Sequence, residues 1–384
     1  MRTFKLKSWH IVCLVAGALA FGLAGAPAAA ADAQSRVALQ AVIRGMIDAV
    51  SVNRLEGHVC KLQDDDRLAY CNATGTRFSY ATAALDEAAQ YLYDQFSQLG
   101  LAVAYDYFPL DSTHLKNVVA ELPGTGPNSR HVYIICAHYD SFSRESPYSA
   151  APGADDNASG SAAVLEAARI LSQFRFSKTL RFVHFSGEEQ GMVGSRHYAE
   201  MASLRGDIID GVINLDMIGF ETAFPADHIV EVHANANPAS VALADAIVAA
   251  VSDYGLLLSP EKVANSNTRG SDHSSFWDRG YPAVLGIEDL QDFNPNYHWP
   301  SDTLGNMQTG LMVEFTKASI AVLAQLCGLL TAMTPSPTAT ATPSPTWTAT
   351  TYPTSTPTRT STSTPTAIAP ARVYLPVVVS MPTP

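Results

Sequence analysis

The sequence predicts an α/β protein, a three-layer α/β/α sandwich around a mixed, mostly parallel central sheet. Two observations carry this prediction. Short apolar runs alternate along the middle of the chain with stretches whose apolar residues recur at helical spacing. The chain also has 384 residues, 47% hydrophobic and 16% charged, enough to bury a substantial core in one or two domains. No internal repeat is visible.

The elements follow in order. Residues 1–33 open with Arg2, Lys5 and Lys7, continue in an apolar run from Ile11 to Leu23, and close on the small residues APAAAADA. This pattern is a cleavable signal peptide, with cleavage expected near Ala31 or Ala33. The run is shorter than the ~20 residues of a spanning helix, so no transmembrane anchor is expected. Residues 34–333 form the expected catalytic domain. Within it, 81–99 carry a helical pattern that Gly100 stops. Strands are expected over 117–122, 131–137, 179–186, 210–217, 228–234 and 282–287, and helices over 158–174, 239–254 and 308–333. Residues 334–370 are almost entirely Thr, Pro, Ser and Ala, an extended solvated linker. The apolar residues 371–384 beyond it read either as a tag for cell-surface attachment or as a frayed terminus.

Loss of the leader takes the formal net charge of −12 two units further negative. Such an acidic chain is a poor partner for nucleic acid. It suits a secreted protein, and export permits a disulfide. Cys60 and Cys71, on either side of the polar stretch KLQDDDRLAY, are the expected pair. Cys136, in an apolar strand, and Cys327, in an apolar helix, are expected as buried thiols.

The informative feature is where acids and imidazoles fall on this pattern. His138 and Asp140 follow one strand in AHYDS. Glu188 and Glu189 follow another in SGEEQGMVGS, and Asp216 ends INLDM. Asp155 and Asp156 precede a helix in APGADDNASG, and His298 follows the strand PAVLGI in NPNYHWPSD. In open α/β sheets the ligand crevice lies beyond the carboxyl ends of the strands. Each piece alone has an ordinary structural explanation, such as a helix cap or a solvated turn. Together they place several acids at one buried edge, where they repel one another unless a cation neutralises them. Two His with three carboxylates suit a pair of zinc ions, and paired metals ~3.5–4 Å apart share a bridging carboxylate and activate water.

AHYDS, GADDNASGSAAVLE, FSGEEQGMVGSRHYA, INLDMIGF, SDHSSF and NYHWPSDT resemble, in order and spacing, the zinc-dependent aminopeptidase Y type family, which also holds glutaminyl cyclases and some carboxypeptidases. The resemblance runs from about Asn117 to Thr303. It implies two zinc ions held by His138, Asp156, Glu189, Asp216 and His298, with Asp156 bridging and a cis bond between Asp156 and Asn157. It implies Glu188 as general base and Tyr297 as a donor to the tetrahedral oxyanion. Asp140 would hold the tautomer of His138, Asp272 would lie in the pocket wall, and Asp302 would orient the loop of His298. His184, His197 and His273 are read as structural.

The expected activity is removal of amino-terminal residues from peptides with a free N-terminus, because an acidic pocket attracts an ammonium group. A carboxypeptidase using Arg269, or a glutaminyl cyclase, stays open as an alternative. A non-enzymatic binding ectodomain is disfavoured, since every ligand position is filled.

Overall fold

The fold is that of a computed structural model, which describes residues 26–63, 75–222 and 226–332. The N-terminal part of the expected leader, Cys71, the linker 334–370 and the tail 371–384 lie outside the described residues.

Three helices come first: α1 (Ala26–Asp48), α2 (Val52–Gln63) and α3 (Thr82–Gln98). Helix α1 spans both expected cleavage positions. Helix α2 carries Cys60 and ends at Gln63, so the first part of KLQDDDRLAY is helical where a loop was expected. The hairpin β1 (Ala102–Leu110) and β2 (Thr113–Leu122) follows, then β3 (His131–His138), α4 (Gly160–Leu171), β4 (Phe174–Phe176) and β5 (Thr179–Phe185). After these come α5 (Val193–Arg205), β6 (Ile208–Leu215), β7 (Ile229–Ala234), α6 (Pro238–Tyr254), β8 (Ser259–Ala264), α7 (His273–Trp277), β9 (Ala283–Glu288), α8 (Thr309–Leu326) and β10 (Leu329–Ala332).

Eight strands form one mixed sheet in the order β1-β2-β5-β3-β6-β9-β7-β8. Its centre, β5-β3-β6-β9, is parallel, whereas β2 meets β5 and β7 meets β9 antiparallel. Alternation along β3 shows the three layers. Tyr133, Ile135 and Ala137 face the core under α1, α2, α3, α4, α6 and α8. Val132, Ile134 and Cys136 face the smaller core under α5 and α7.

Two expected helices end differently. The helix expected over 158–174 opens as a wide turn over Ala154–Ser159, continues as α4, and gives way to β4 at Phe174. The helix expected over 308–333 stops at Leu326, because Gly328 at φ 68° turns the chain into β10, which pairs with β4. Among the described residues no helix is long and apolar enough to cross a membrane.

The topology fixes the location of the site. Helix α4 on one face leads from β3 to β5, and α5 on the other face leads from β5 past β3 to β6. Chain direction across the sheet reverses at β3, which opens a crevice at the carboxyl ends of β5, β3 and β6.

Candidate metal centre

His138 is the last residue of β3, in register with Phe185 at the end of β5. Glu188 and Glu189 follow β5 after Gly187, and Asp216 directly follows β6. Asp156 stands in the wide turn ahead of α4, where its bond to Asn157 is cis. Gly160 lets this turn approach β6: a Cβ there would lie 2.6 Å from the carbonyl of Leu215 and 2.5 Å from Asn157 Oδ1. Asn157 closes the contact, donating its side-chain amide to Leu215 O at 2.9 Å. His298 enters from the loop after β9 in a left-handed conformation, φ 62°, uncommon for a residue with a side chain.

Two donor sets result, His138–Asp156–Asp216 and Asp156–Glu189–His298, each with its ligand atoms within 4.8 Å of one another. Asp156 belongs to both. Its Oδ1 lies 3.2 Å from His138 Nε2 and its Oδ2 lies 3.1 Å from His298 Nε2. His138 Nε2 is also 3.3 Å from Asp216 Oδ1, and His298 Nε2 is 2.9 Å from Glu189 Oε2. His298 Nε2 makes no hydrogen bond at these short separations, and Glu189 Oε1 is buried without a partner among the described residues. Donor atoms that crowd together without hydrogen bonding leave their lone pairs for a cation, and nitrogen with carboxylate oxygen fits zinc.

Buried support surrounds these groups. The carboxylate of Asp140 accepts the amides of Glu188 at 3.2 Å and Glu189 at 3.3 Å, and the hydroxyl of Ser79 at 3.0 Å. His138 Nδ1 meets the backbone carbonyl of Asp140 at 3.1 Å and its carboxylate only at 3.6 Å. The carboxylate of Asp140 therefore holds the Glu pair first, and its carbonyl sets the imidazole. Asp302 accepts the amides of Asp155 and Asp156, one on each oxygen, both at 3.0 Å. Its grip is on the Asp156 turn as well as on the loop of His298. Asp155 does not enter either donor set; it accepts from Gly219 N and from Asn294 Nδ2.

Arg77, buried beneath the site, escapes a reading based on motifs. It donates to the carbonyls of Tyr139, Leu62, Pro152 and Gly153, tying α2 to the segments that carry Asp140 and Asp156. Burial pulls its guanidinium down to about 10, opposed by Asp302 and Asp140.

Burial raises the carboxyl of Glu188 well above the usual range, with Asp216 and Glu189 adding to it and His138 opposing. Glu189 is pushed up to about 7 by burial and by Asp156. Asp272, at the start of α7, is also lifted to about 7 by burial, against His138 and Ser195. For Asp156 burial acts upward but His138 and His298 outweigh it, leaving the carboxyl below its ordinary value.

The ring of Tyr297 stacks on His298 with centroids 3.7 Å apart. The three histidines read as structural lie away from both donor sets. His184 bonds Ser161 O, His197 pairs with Asp106, and His273 bonds Thr268 O. Cys136 and Cys327 are buried thiols, while Cys60 is half-buried on α2 and its expected partner Cys71 lies outside the described residues.

This fold, with acids and imidazoles gathered at its parallel strand ends, defines a metallopeptidase class. The model of Peptidase family M28 matches residues 117–323, and the chain belongs to that family. It is 30% identical over 228 residues to a probable leucine aminopeptidase of Trichophyton verrucosum, 57% of either chain. It is 27% identical over 316 residues to a probable zinc metalloprotease of Leptosphaeria maculans, 73% of either chain. The chain thus spans little more than half the length of the first of these relatives. In fold it is similar to the Legionella pneumophila LapA aminopeptidase, with a TM-score of 0.62 and 19% identity over 74% of each chain.

Proposed function

We propose that the protein is a secreted aminopeptidase that binds two zinc ions and removes single residues from the free N-terminus of peptides. The observation that carries this reading is the carboxylate of Asp156, which offers one oxygen to each of two donor sets. His138 and Asp216 would hold one ion, Glu189 and His298 the other, and Asp156 both. Bound zinc supplies Lewis acidity that polarises a carbonyl and makes water acidic enough to attack it.

Glu188 has the environment of a proton carrier. Its carboxyl, raised by burial, would take the proton of the attacking water and return it to the leaving amine. Glu188 and Glu189 are successive residues of one turn, and Glu189 is the one whose oxygen reaches His298. Tyr297, whose ring stacks on His298, would donate its hydroxyl to the developing oxyanion. The surplus of carboxylates favours the ammonium of an N-terminus. Arg269, the cation a carboxypeptidase reading would use, pairs with Asp278 and its side chain is 51% exposed.

Names of relatives support the choice: a probable leucine aminopeptidase and a probable zinc metalloprotease. The test compares free-amine and acetylated forms of one peptide with zinc-loaded and chelator-treated protein. Only the free-amine peptide with zinc should be shortened, from its front. Release from the carboxyl end, or full activity after zinc is stripped, overturns the reading. Secretion is tested by recovering protein from the medium and reading its first residue, expected next to Ala31 or Ala33.

A further inference from the structure

A row of aromatic rings leads outward from the metal centre. His298 meets the edge of Phe142 at 5.0 Å between centroids, Phe142 meets Phe78 at 5.8 Å, and Phe78 meets Tyr148 edge-on at 5.1 Å and Tyr80 at 5.5 Å. Phe142 is half-buried and Phe78 buried, while Tyr80 and Tyr148 at the outer end are 38% and 63% exposed. Two large rings left in water on a shared buried ring, with a half-buried ring leading back to a donor of the site, make an apolar binding surface.

The two segments that carry the row are fixed to each other and to the site. Thr76 donates its hydroxyl to Pro147 O at 2.6 Å, and the amide of Ser141 bonds Arg77 O at 3.1 Å. The amide of Arg144 bonds His298 O at 3.0 Å, so the loop holding Phe142 and Tyr148 is anchored at a donor of the site.

An aminopeptidase has one residue ahead of the bond it cuts. The rest of the peptide must leave the site toward solvent, so a surface that runs from a metal donor out to exposed rings meets residues after the cut. We infer that Phe142, Tyr80 and Tyr148, backed by the buried Phe78, form a subsite for the second and third residues of the peptide, selecting apolar or aromatic side chains there. This inference rests on the aminopeptidase reading.

The test uses the full-length, zinc-loaded protein and two pentapeptides with the same first residue, one with Phe and one with Gly at positions two and three. For the wild type, kcat/KM should favour the Phe peptide. In Tyr148→Ser, and in Phe142→Leu, that preference should fall roughly tenfold, the scale of a lost apolar side-chain contact, and the loss should be in KM. Tyr148 is exposed enough for its replacement to leave the core intact. A wild type that releases the first residue but shows no preference, or variants that keep it, overturns the subsite and leaves the aminopeptidase reading standing. No release of the first residue from either peptide overturns the reading itself, and the subsite with it.

Discussion

Asp302 accepts the backbone amide of Asp156 at 3.0 Å, which makes a buried carboxylate from one loop the clamp on the candidate donor of another. Its other oxygen takes the amide of Asp155, so both acceptors are used on one turn. Asp302→Ala should free the turn and leave two amides without partners. Outer-shell partners of metal ligands typically change metal affinity by ~10–100-fold. A zinc titration against a competing chelator should show a loss of that size. Unchanged affinity would show that the turn is held by its other bonds.

Arg77 joins three segments through backbone carbonyls alone. Arg77→Leu removes the charge that faces the acidic site and strands the carbonyls of Tyr139, Leu62, Pro152 and Gly153. Each buried carbonyl left without a partner costs about 1–3 kcal/mol, so the fold should lose several kcal/mol. Denaturant unfolding should show that fall with little change in slope.

The central strands and the donor positions were legible in the sequence because both are set by strong local signals. The apolar runs of β3, β5, β6 and β9 end in His138, the Glu188 turn, Asp216 and the loop of His298, so strand ends alone bring the residues together. Strand β8, SPEKVA, was missed: it is an edge strand with Pro, Glu and Lys, and only one neighbour to satisfy. Arg77 was missed for a different reason. Its partners are carbonyls distant in sequence, and carbonyls carry no residue signature. Asp140 and Asp302 were recognised as supporting groups, yet which backbone amides they hold depends on turns that only the folded chain defines.

Two histidines make stability depend on acid. Burial lowers His184 to about 4 and His273 to about 3, so both are neutral when folded, while in the unfolded chain they titrate near 6.5. Their contribution is fully present above 6.5 and is lost as pH falls toward the folded values, because the unfolded state binds the proton first. Below 6.5 each histidine should remove about 1.4 kcal/mol per pH unit. Unfolding of metal-free protein between pH 6.5 and 4.5 measures the slope. His184→Gln should flatten it by one histidine's share; an unaltered slope would show that His184 is charged in the fold.

Glu188 and Glu189 share one turn, and the proposed function gives them different roles. Asp140 holds both backbone amides, one on each carboxylate oxygen. Glu189 brings an oxygen to 2.9 Å from His298 Nε2, in the donor set with Asp156. Glu188 belongs to neither donor set and has a carboxyl raised well above its ordinary range. Glu188→Gln keeps the size of the side chain but removes the basic oxygen. Zinc content and KM should stay near wild type while kcat falls by ~10²–10⁴-fold, the usual contribution of general acid–base catalysis. Glu189→Gln weakens a ligand instead. Its activity should decline as zinc is diluted and recover in part with excess metal. The two variants are separated by measuring bound zinc and turnover on the same samples. If Glu188→Gln loses zinc while Glu189→Gln retains it, the roles are reversed, and the proton carrier is the residue beside His298.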